Sequence, residues 1–162
     1  MKKILSRPLF WIALVAAALI AVSVLSDPGA PQPRAVVFGP APDVTAAANL
    51  TYSPNGFPEI SVSLHNRTDK ELLAAGFYAV PRDRNGNELT DWTARRRFST
   101  DASLKPGVEA AFTFQSIQEN VASVELWICS LTFADGTRWG DPDCNPADAM
   151  EKGISVPVEK PA

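Results

Sequence analysis

Cys129 and Cys144 are the only cysteines in the 162-residue chain, and their thiols are the groups best suited to covalent chemistry. A redox pair would favour Cys-x-x-Cys spacing and a metal site would add histidines, and neither feature accompanies them. The pair therefore predicts a disulfide, which forms in an oxidising compartment. Closing a loop of about 15 residues in this way contributes roughly 3 kcal/mol in the chain-entropy model.

Oxygen-bearing side chains at Asp141, Asp143 and Asn145 occupy positions one, three and five of a calcium-loop pattern. Position six of that pattern is a glycine that makes a sharp turn, and here it is Pro146. Position twelve supplies a bidentate glutamate, and here it is Lys152. These departures favour a polar turn beside the disulfide, with calcium binding as the alternative.

His65 is the single histidine, and it ends a predicted strand. A Ser-His-Asp arrangement would have to use it, yet the chain has no Gly-x-Ser-x-Gly elbow. The sequence therefore predicts an exposed turn histidine and no catalytic residues, no resident metal and no cofactor. A small envelope hydrolase is the less favoured alternative.

The arginine run Arg95, Arg96 and Arg97, next to Trp92 and Phe98, is the candidate partner-binding surface. Guanidinium groups stack on aromatic rings and grip carboxylates or phosphates. In an extended strand Arg95 and Arg97 share one face and Arg96 takes the other. The simpler interpretation is a solvated sheet edge whose charge discourages edge-to-edge pairing.

Trp127 and Trp139 are expected in the core or rim of a sheet sandwich. If their rings were exposed they would suit stacking on sugars, which leaves a carbohydrate-binding module as an alternative function. Both lie within Val121–Cys144, the stretch that also holds both cysteines.

The elements that would position these residues are short strands. Residues 59–64 alternate apolar and polar side chains, as half-buried strands do. Residues 72–81 are apolar on both faces, and Asn85-Gly86 and Asp135-Gly136 are hairpin turn signals. A return strand is predicted over residues 90–100 and another over 108–114.

Residues 121–133 form the longest predicted strand, and its apolar pattern changes parity. Leu126 and Ile128 share one face, whereas Leu131 and Phe133 belong to the opposite parity. A bulge near Cys129 and Ser130 would let all four face the same side. With turn signals at regular intervals, the pattern predicts an all-β antiparallel sandwich of six to seven strands.

The N-terminal segment predicts export. Residues 1–26 carry Lys2, Lys3 and Arg7 and no acid, and residues 9–25 are almost wholly apolar. They are interpreted as a signal peptide or an N-terminal membrane anchor helix. The proline-rich residues 27–46 form a spacer before the sandwich, predicted over residues 47–158 with a disulfide-stapled tail. The expected location is periplasmic or extracellular, with a tether to the cytoplasmic membrane if residues 9–25 are retained.

Net charge argues against anionic partners. The chain has 15 lysines and arginines and 18 acids, and three of the 15 precede Ser26. The remainder therefore has 12 basic and 18 acidic residues, a net charge of −6. No nucleic-acid partner is expected for such a domain, and contact with membrane is expected only through the N-terminal segment.

The run ISVSLHNRTDKELLAAGFYAVPRDRNG resembles small exported bacterial immunoglobulin-like modules of unassigned function. In that group a strand ends in an Asn-Lys/Arg-Thr/Ser turn, and the next carries an aromatic residue and finishes in Asp-x-x-Gly. Leu104-x-Pro-Gly107 and the Phe133–Thr137 hairpin with Trp139 extend the resemblance, whereas the cysteine pair and the Asp-rich tail depart from it. It implies an immunoglobulin-like sandwich acting as a non-enzymatic binding or structural accessory module with a protein partner in the cell envelope.

Overall fold

Alternating apolar and polar residues build two facing β-sheets in the computed structural model, which describes residues 35–90, 96–116 and 118–159. The predicted signal or anchor segment, Trp92 and Arg95 lie outside these residues. The part of the chain that is described contains no helix long and apolar enough to cross a membrane.

The described residues contain nine strands and one helix. In chain order they are β1 Val44–Tyr52, β2 Pro58–Asn66, β3 Leu72–Arg82, β4 Arg97–Leu104, β5 Glu109–Gln115, β6 Ser123–Phe133, β7 Arg138–Gly140, α1 Pro146–Lys152, β8 Ile154–Val156 and β9 Val158–Glu159. The first sheet has the order β5-β2-β1-β9. The second has the order β4-β3-β6-β7, and β8 also pairs with β6. The predicted β-sandwich is confirmed.

The core lies between the sheets because each strand places every second side chain inward. In β2 the inward side chains Ile60, Val62 and Leu64 are buried, and Ser61 and Ser63 lie on the outer face, as predicted. From the second sheet, Phe77 of β3 and Leu126 of β6 belong to the same apolar cluster.

The predicted bulge is present in β6. Gly76 pairs with Ser130 and Phe77 pairs with Ile128, so Cys129 is the extra residue. Because of this one-residue insertion, Ile128 and Leu131 both face the core.

Two predictions about the strands were wrong. The count of six to seven was too low, because β8 and β9 have only three and two residues and give almost no periodic signal. The sandwich is also not wholly antiparallel: β8 pairs with β6, and after Pro157 the chain enters the other sheet, where β9 runs parallel to β1.

The return strand begins later than predicted. β4 starts at Arg97 and continues to Leu104, whereas the prediction covered residues 90–100. Along β4, Phe98 and Leu104 are buried and Arg97 and Asp101 are exposed. Alternation fixes the strand here, while the polar residues at 90 and 96 lie before it.

Residues 35–39 run beside β7. Val37 forms an isolated antiparallel bridge with Gly140, and Trp139 Nε1 donates to the carbonyl oxygen of Gly39 at 3.2 Å. The Phe38 ring meets the Trp139 ring edge-on, with centroids 5.5 Å apart. This part of the predicted spacer is therefore fastened to the sandwich by one aromatic pair and a few hydrogen bonds. The sandwich itself begins at Val44, the start of β1, three residues before the predicted residue 47.

Asn66 ties the β2–β3 turn to the end of β4. Its side chain is fully buried, and its Nδ2 donates to the carbonyl oxygens of Lys70 at 2.7 Å and Leu104 at 2.8 Å. Its Oδ1 accepts from the Thr68 backbone amide at 3.1 Å and from the Thr68 hydroxyl at 2.7 Å. All the hydrogen-bonding capacity of this buried amide is used, as a buried polar group requires.

Candidate binding groove

The β6 bulge turns Cys129 to the outer face of the second sheet, where it forms the predicted disulfide with Cys144. The two Cα atoms are 5.4 Å apart, within the range that a disulfide spans. Both cysteines are buried. The disulfide therefore fastens the segment after β7 against the outside of the sandwich.

Two glycines allow this close approach. A Cβ at Gly76 would collide with Ser130 Oγ and lie 3.3 Å from Cys144 Sγ. Gly140 has a φ of 88°, and a Cβ there would collide with the carbonyl oxygen of Cys129. Gly140 therefore requires a residue without a side chain, whereas a side chain at Gly76 would displace the Ser130 hydroxyl and crowd the disulfide.

The Asp141 side chain organises the loop that carries Cys144. Its Oδ1 accepts from the Asp143 amide at 2.9 Å, and its Oδ2 accepts from the Asn145 amide at 2.7 Å. Asn145 then caps α1 by accepting from the Ala147 amide at 3.1 Å. Both carboxylate oxygens of Asp141 thus hold backbone amides, and within the described ranges no group of three or more His, Cys, Asp and Glu side chains could hold a metal ion.

A second, small apolar cluster forms under this loop. Its buried members are Tyr78, Val80, Cys129, Cys144 and Ala149, and Trp127 packs against them. The rings of Tyr78 and Trp127 are 6.4 Å apart. Trp127 is half-buried here, while Trp139 is buried in the main core, which agrees with the prediction of core or rim positions for both.

Beyond the disulfide, the outer face of the second sheet is an open groove with a volume of about 330 Å³. Strand pairing places Ser99, Gly76 and Ser130 side by side across its floor. The next row is Asp101, Ala74 and Thr132. Arg97 and the segment Pro142–Cys144 line it as well. We call this the outer groove.

Arg97 is held at the edge of the outer groove. Its Nε donates to the carbonyl oxygen of Cys144 at 3.1 Å, and the side chain is exposed. Within the described residues no carboxylate forms an ion pair with it. The backbone at Cys144 is left-handed, with a φ of 47°, which is uncommon for a residue other than glycine. Because Cys144 is fixed by the disulfide to Cys129, its carbonyl oxygen is held where it accepts the hydrogen bond from Arg97.

Arg96 has a different role from Arg97. It precedes β4, and its Nη2 lies 2.6 Å from Glu88 Oε1 and donates to the Leu89 carbonyl oxygen at 2.9 Å. Its Nη1 donates to the Tyr78 hydroxyl at 3.4 Å. The predicted arginine surface is therefore divided: Arg96 fastens the preceding loop, and Arg97 lines the groove.

The candidate histidine lies elsewhere, and so does an exposed ion pair. His65 is half-buried on the outer face of the first sheet, where its Nδ1 accepts from Arg67 Nε at 3.4 Å. An ion pair joins the β2–β3 turn to the β6–β7 turn, where Lys70 Nζ lies 2.7 Å from Asp135 Oδ2. Hydrogen bonds from the Lys70 ammonium and then from Thr137 lower the pKa of Asp135 to about 2. Neither site adjoins the outer groove.

Sequence reasoning missed the floor of the groove. Ser99, Ser130 and Thr132 are ordinary polar residues in the sequence, and only pairing of β4, β3 and β6 brings them together. One available signal was the small side chain at alternate outward positions of three strands, which leaves depth above the sheet.

No protein-family model matches the chain, and no curated protein matches it. Among solved structures, the chain is similar to a crystal structure of a DUF1425 family member from Shewanella sp. pv-4, determined at 1.81 Å resolution. The two chains are 16% identical, with a TM-score of 0.42. The match covers 58% of this chain and 94% of that one.

Proposed function

We propose that the protein is a non-enzymatic accessory module of the cell envelope, exported or membrane-tethered, that binds a protein partner in the outer groove. The observation that carries the proposal is the position of Arg97. Its exposed guanidinium group is held by a hydrogen bond to the Cys144 carbonyl oxygen, and it lines a groove whose floor consists of small side chains. The basic, apolar N-terminal sequence and the disulfide support the compartment.

Strand order supports an immunoglobulin-like architecture for this module. The first, second and fifth strands share one sheet, and the fourth, third and sixth share the other, with β7 and β8 beside the sixth. Immunoglobulin sandwiches likewise place the first, second and fifth strands in one sheet and the third, sixth and seventh in the other. The fourth strand differs from the constant-type arrangement, because β4 pairs with β3, as the additional strand next to the third strand does in variable-type domains. The disulfide departs from the antibody pattern, because it joins β6 to a loop on the outer face and does not join the two sheets.

The chemistry of the groove suits an extended peptide segment. Arg97 offers N–H donors to a carboxylate, and Asp101 lies four residues along the same strand face. At the rise of a β-strand the two positions are about 13 Å apart, the span of four or five extended residues. A partner strand with an acidic side chain near one end and a basic one near the other would match both charges.

Site-specific photocrosslinking in the native envelope tests the proposal. A photoreactive residue at Ser99 should give a crosslinked partner, and the same residue at Ala47, an exposed position on the outer face of the other sheet, should not. Arg97→Glu should abolish the crosslink, whereas Arg84→Glu, an exposed arginine in the β3–β4 connection, should leave it intact. Equal crosslinking from both faces, or an intact crosslink in Arg97→Glu with an unchanged melting temperature, would refute the assignment.

Carbohydrate binding is a second candidate, and a different site favours it. Tyr52 is 45% exposed, and its hydroxyl donates to the carbonyl oxygen of Val121, which fixes the ring. The ring lines a cleft of about 480 Å³ together with Asp83, Asn85 and Asn120. A fixed aromatic face among amide and carboxylate groups suits a sugar ring. Calorimetry with soluble envelope oligosaccharides should then show binding that Tyr52→Ala removes, and the absence of heat would exclude this site.

A further inference from the structure

In the described part of the chain, β5 has a long, regular edge with no strand paired to it. β5 has seven residues, pairs with β2 without a register shift, and contains neither proline nor lysine, and its one charged side chain, Glu109, is at its first position. Proteins normally protect such edges with charge, bulges or very short strands. Here β4 carries Arg97 and Asp101 and has an irregular register, while β7, β8 and β9 are two or three residues long.

The backbone groups that face this free edge can be identified. Asn66 N donates to the Val108 oxygen at 3.0 Å, and Ser116 N donates to the Pro58 oxygen at 2.9 Å. Residues 108 and 116 therefore point their backbone groups at β2, and so do the even-numbered residues between them, because the ladder alternates. The N–H and C=O groups of Glu109, Ala111, Thr113 and Gln115 consequently point away from β2.

The side chains beside this edge are partly apolar. Phe112 and Phe114 belong to the inward set of β5, yet both are only half-buried, whereas their cross-strand neighbours Val62 and Ile60 are buried. Phe114 packs on Phe77 and Phe98, with ring centroids at 5.6 and 5.1 Å. The open side of the sandwich at β5 thus presents incompletely covered aromatic surface.

We propose that β5 pairs antiparallel with β5 of a second copy of this chain, about a two-fold axis at Phe112. In this register Ala111 faces the partner's Thr113 and Glu109 faces the partner's Gln115. The two-fold axis repeats each of these two pairings, so there are four hydrogen-bonded residue pairs across the interface. With two hydrogen bonds in each pair, they give about eight N–H···O bonds. The two first sheets join into one continuous eight-stranded sheet.

Self-complementarity is the reason for a second copy as the occupant. The carboxylate of Glu109 meets an amide of the partner and no like charge. Gln115 Nε2 already donates to Glu59 Oε1 at 3.4 Å, and its second N–H is directed to the partner's carboxylate. On the inner side Phe112 meets its own symmetry mate and Ala110 meets the partner's Phe114, so a small side chain faces a large one. A two-fold, isologous interface of this kind is the commonest form of assembly.

A pair of cysteine variants tests the register in the full-length protein. Opposed residues of a hydrogen-bonded pair have Cα atoms about 5.5 Å apart, which a disulfide can span. Co-expressed Ala111→Cys and Thr113→Cys chains with different tags should form a disulfide-linked heterodimer. Neither variant alone should do so, because like positions are then about 9 Å apart across the pair. Equal linkage in all three samples, or none in the mixture, would overturn the register.

A proline variant tests the association itself. Ala111→Pro removes an N–H that points away from β2, so the ladder within the domain is preserved. The wild-type protein should sediment at twice its chain mass of 17.4 kDa, and Ala111→Pro should sediment at that mass with a similar melting temperature. A wild-type protein that stays at one chain mass up to millimolar concentration would overturn the proposal, whatever else pairs with this edge.

Discussion

Removal of the Cys129–Cys144 disulfide should destabilise the sandwich and loosen the groove together. The bond closes a sequence separation of 15 residues, and in the chain-entropy model a loop of this size is worth about 3 kcal/mol. The loop also carries Asp141, Cys144 and the carbonyl group that binds Arg97. The double variant Cys129→Ala/Cys144→Ala should therefore lose stability and partner binding.

The expected loss is measurable as a melting shift. A change of 1 kcal/mol moves the melting temperature by about 2–8 °C for domains of 60–250 residues, so a loss of about 3 kcal/mol predicts a fall of roughly 10 °C. Equilibrium denaturation in urea measures the free energy of unfolding directly, and the slope of the transition shows whether the unfolded state has expanded.

The reduced wild-type protein separates chain entropy from packing. Reductant removes the crosslink but keeps both buried sulfur atoms, whereas the alanine variant also loses their volume. If chain entropy dominates, the free energy of unfolding should fall by a similar amount in the two samples. The alanine variant should lose slightly more, because removing the sulfur atoms leaves a cavity. A loss below about 1 kcal/mol in both samples would refute the argument, because the loop would then be held by Asp141 and α1 without the disulfide.

Three further predictions concern residues outside the groove. Asn66→Asp replaces two N–H donors with a charged acceptor that faces the carbonyl oxygens of Lys70 and Leu104. The free energy of unfolding, measured in urea, should therefore fall by at least about 3 kcal/mol. The same change at the exposed Asn55 is the control and should change it little. Because the folded pKa of Asp135 lies at about 2, below its ordinary value of 3.8, its contribution is present above pH 4 and is lost as the pH falls towards 2. Asp135→Asn should therefore flatten acid unfolding in that window, and an unchanged acid profile would contradict the assignment. Gly140→Ala should prevent normal folding or greatly lower the melting temperature, because the new methyl group would collide with the Cys129 carbonyl oxygen. A melting curve by circular dichroism that matches the wild type would be inconsistent with that contact.

Local patterns in the sequence were sufficient for the strands with a clear period. The alternation around Val62 predicted β2, and the parity change between Ile128 and Leu131 predicted the bulge. Both follow from the two-residue repeat of a strand, which any single segment displays by itself. The two cysteines predicted the disulfide because no competing pairing or ligand set exists in the chain.

Only the tertiary structure decided which of these residues meet. Arg96 and Arg97 are adjacent in sequence, yet one contacts Glu88 and the other contacts Cys144, because β4 begins between them. The two-residue β9 is fixed by a neighbour, β1, more than 100 positions away and not by its own pattern. The outer groove and the free edge of β5 likewise depend on strand order and register, which are set by packing between distant segments and leave no mark on the local sequence.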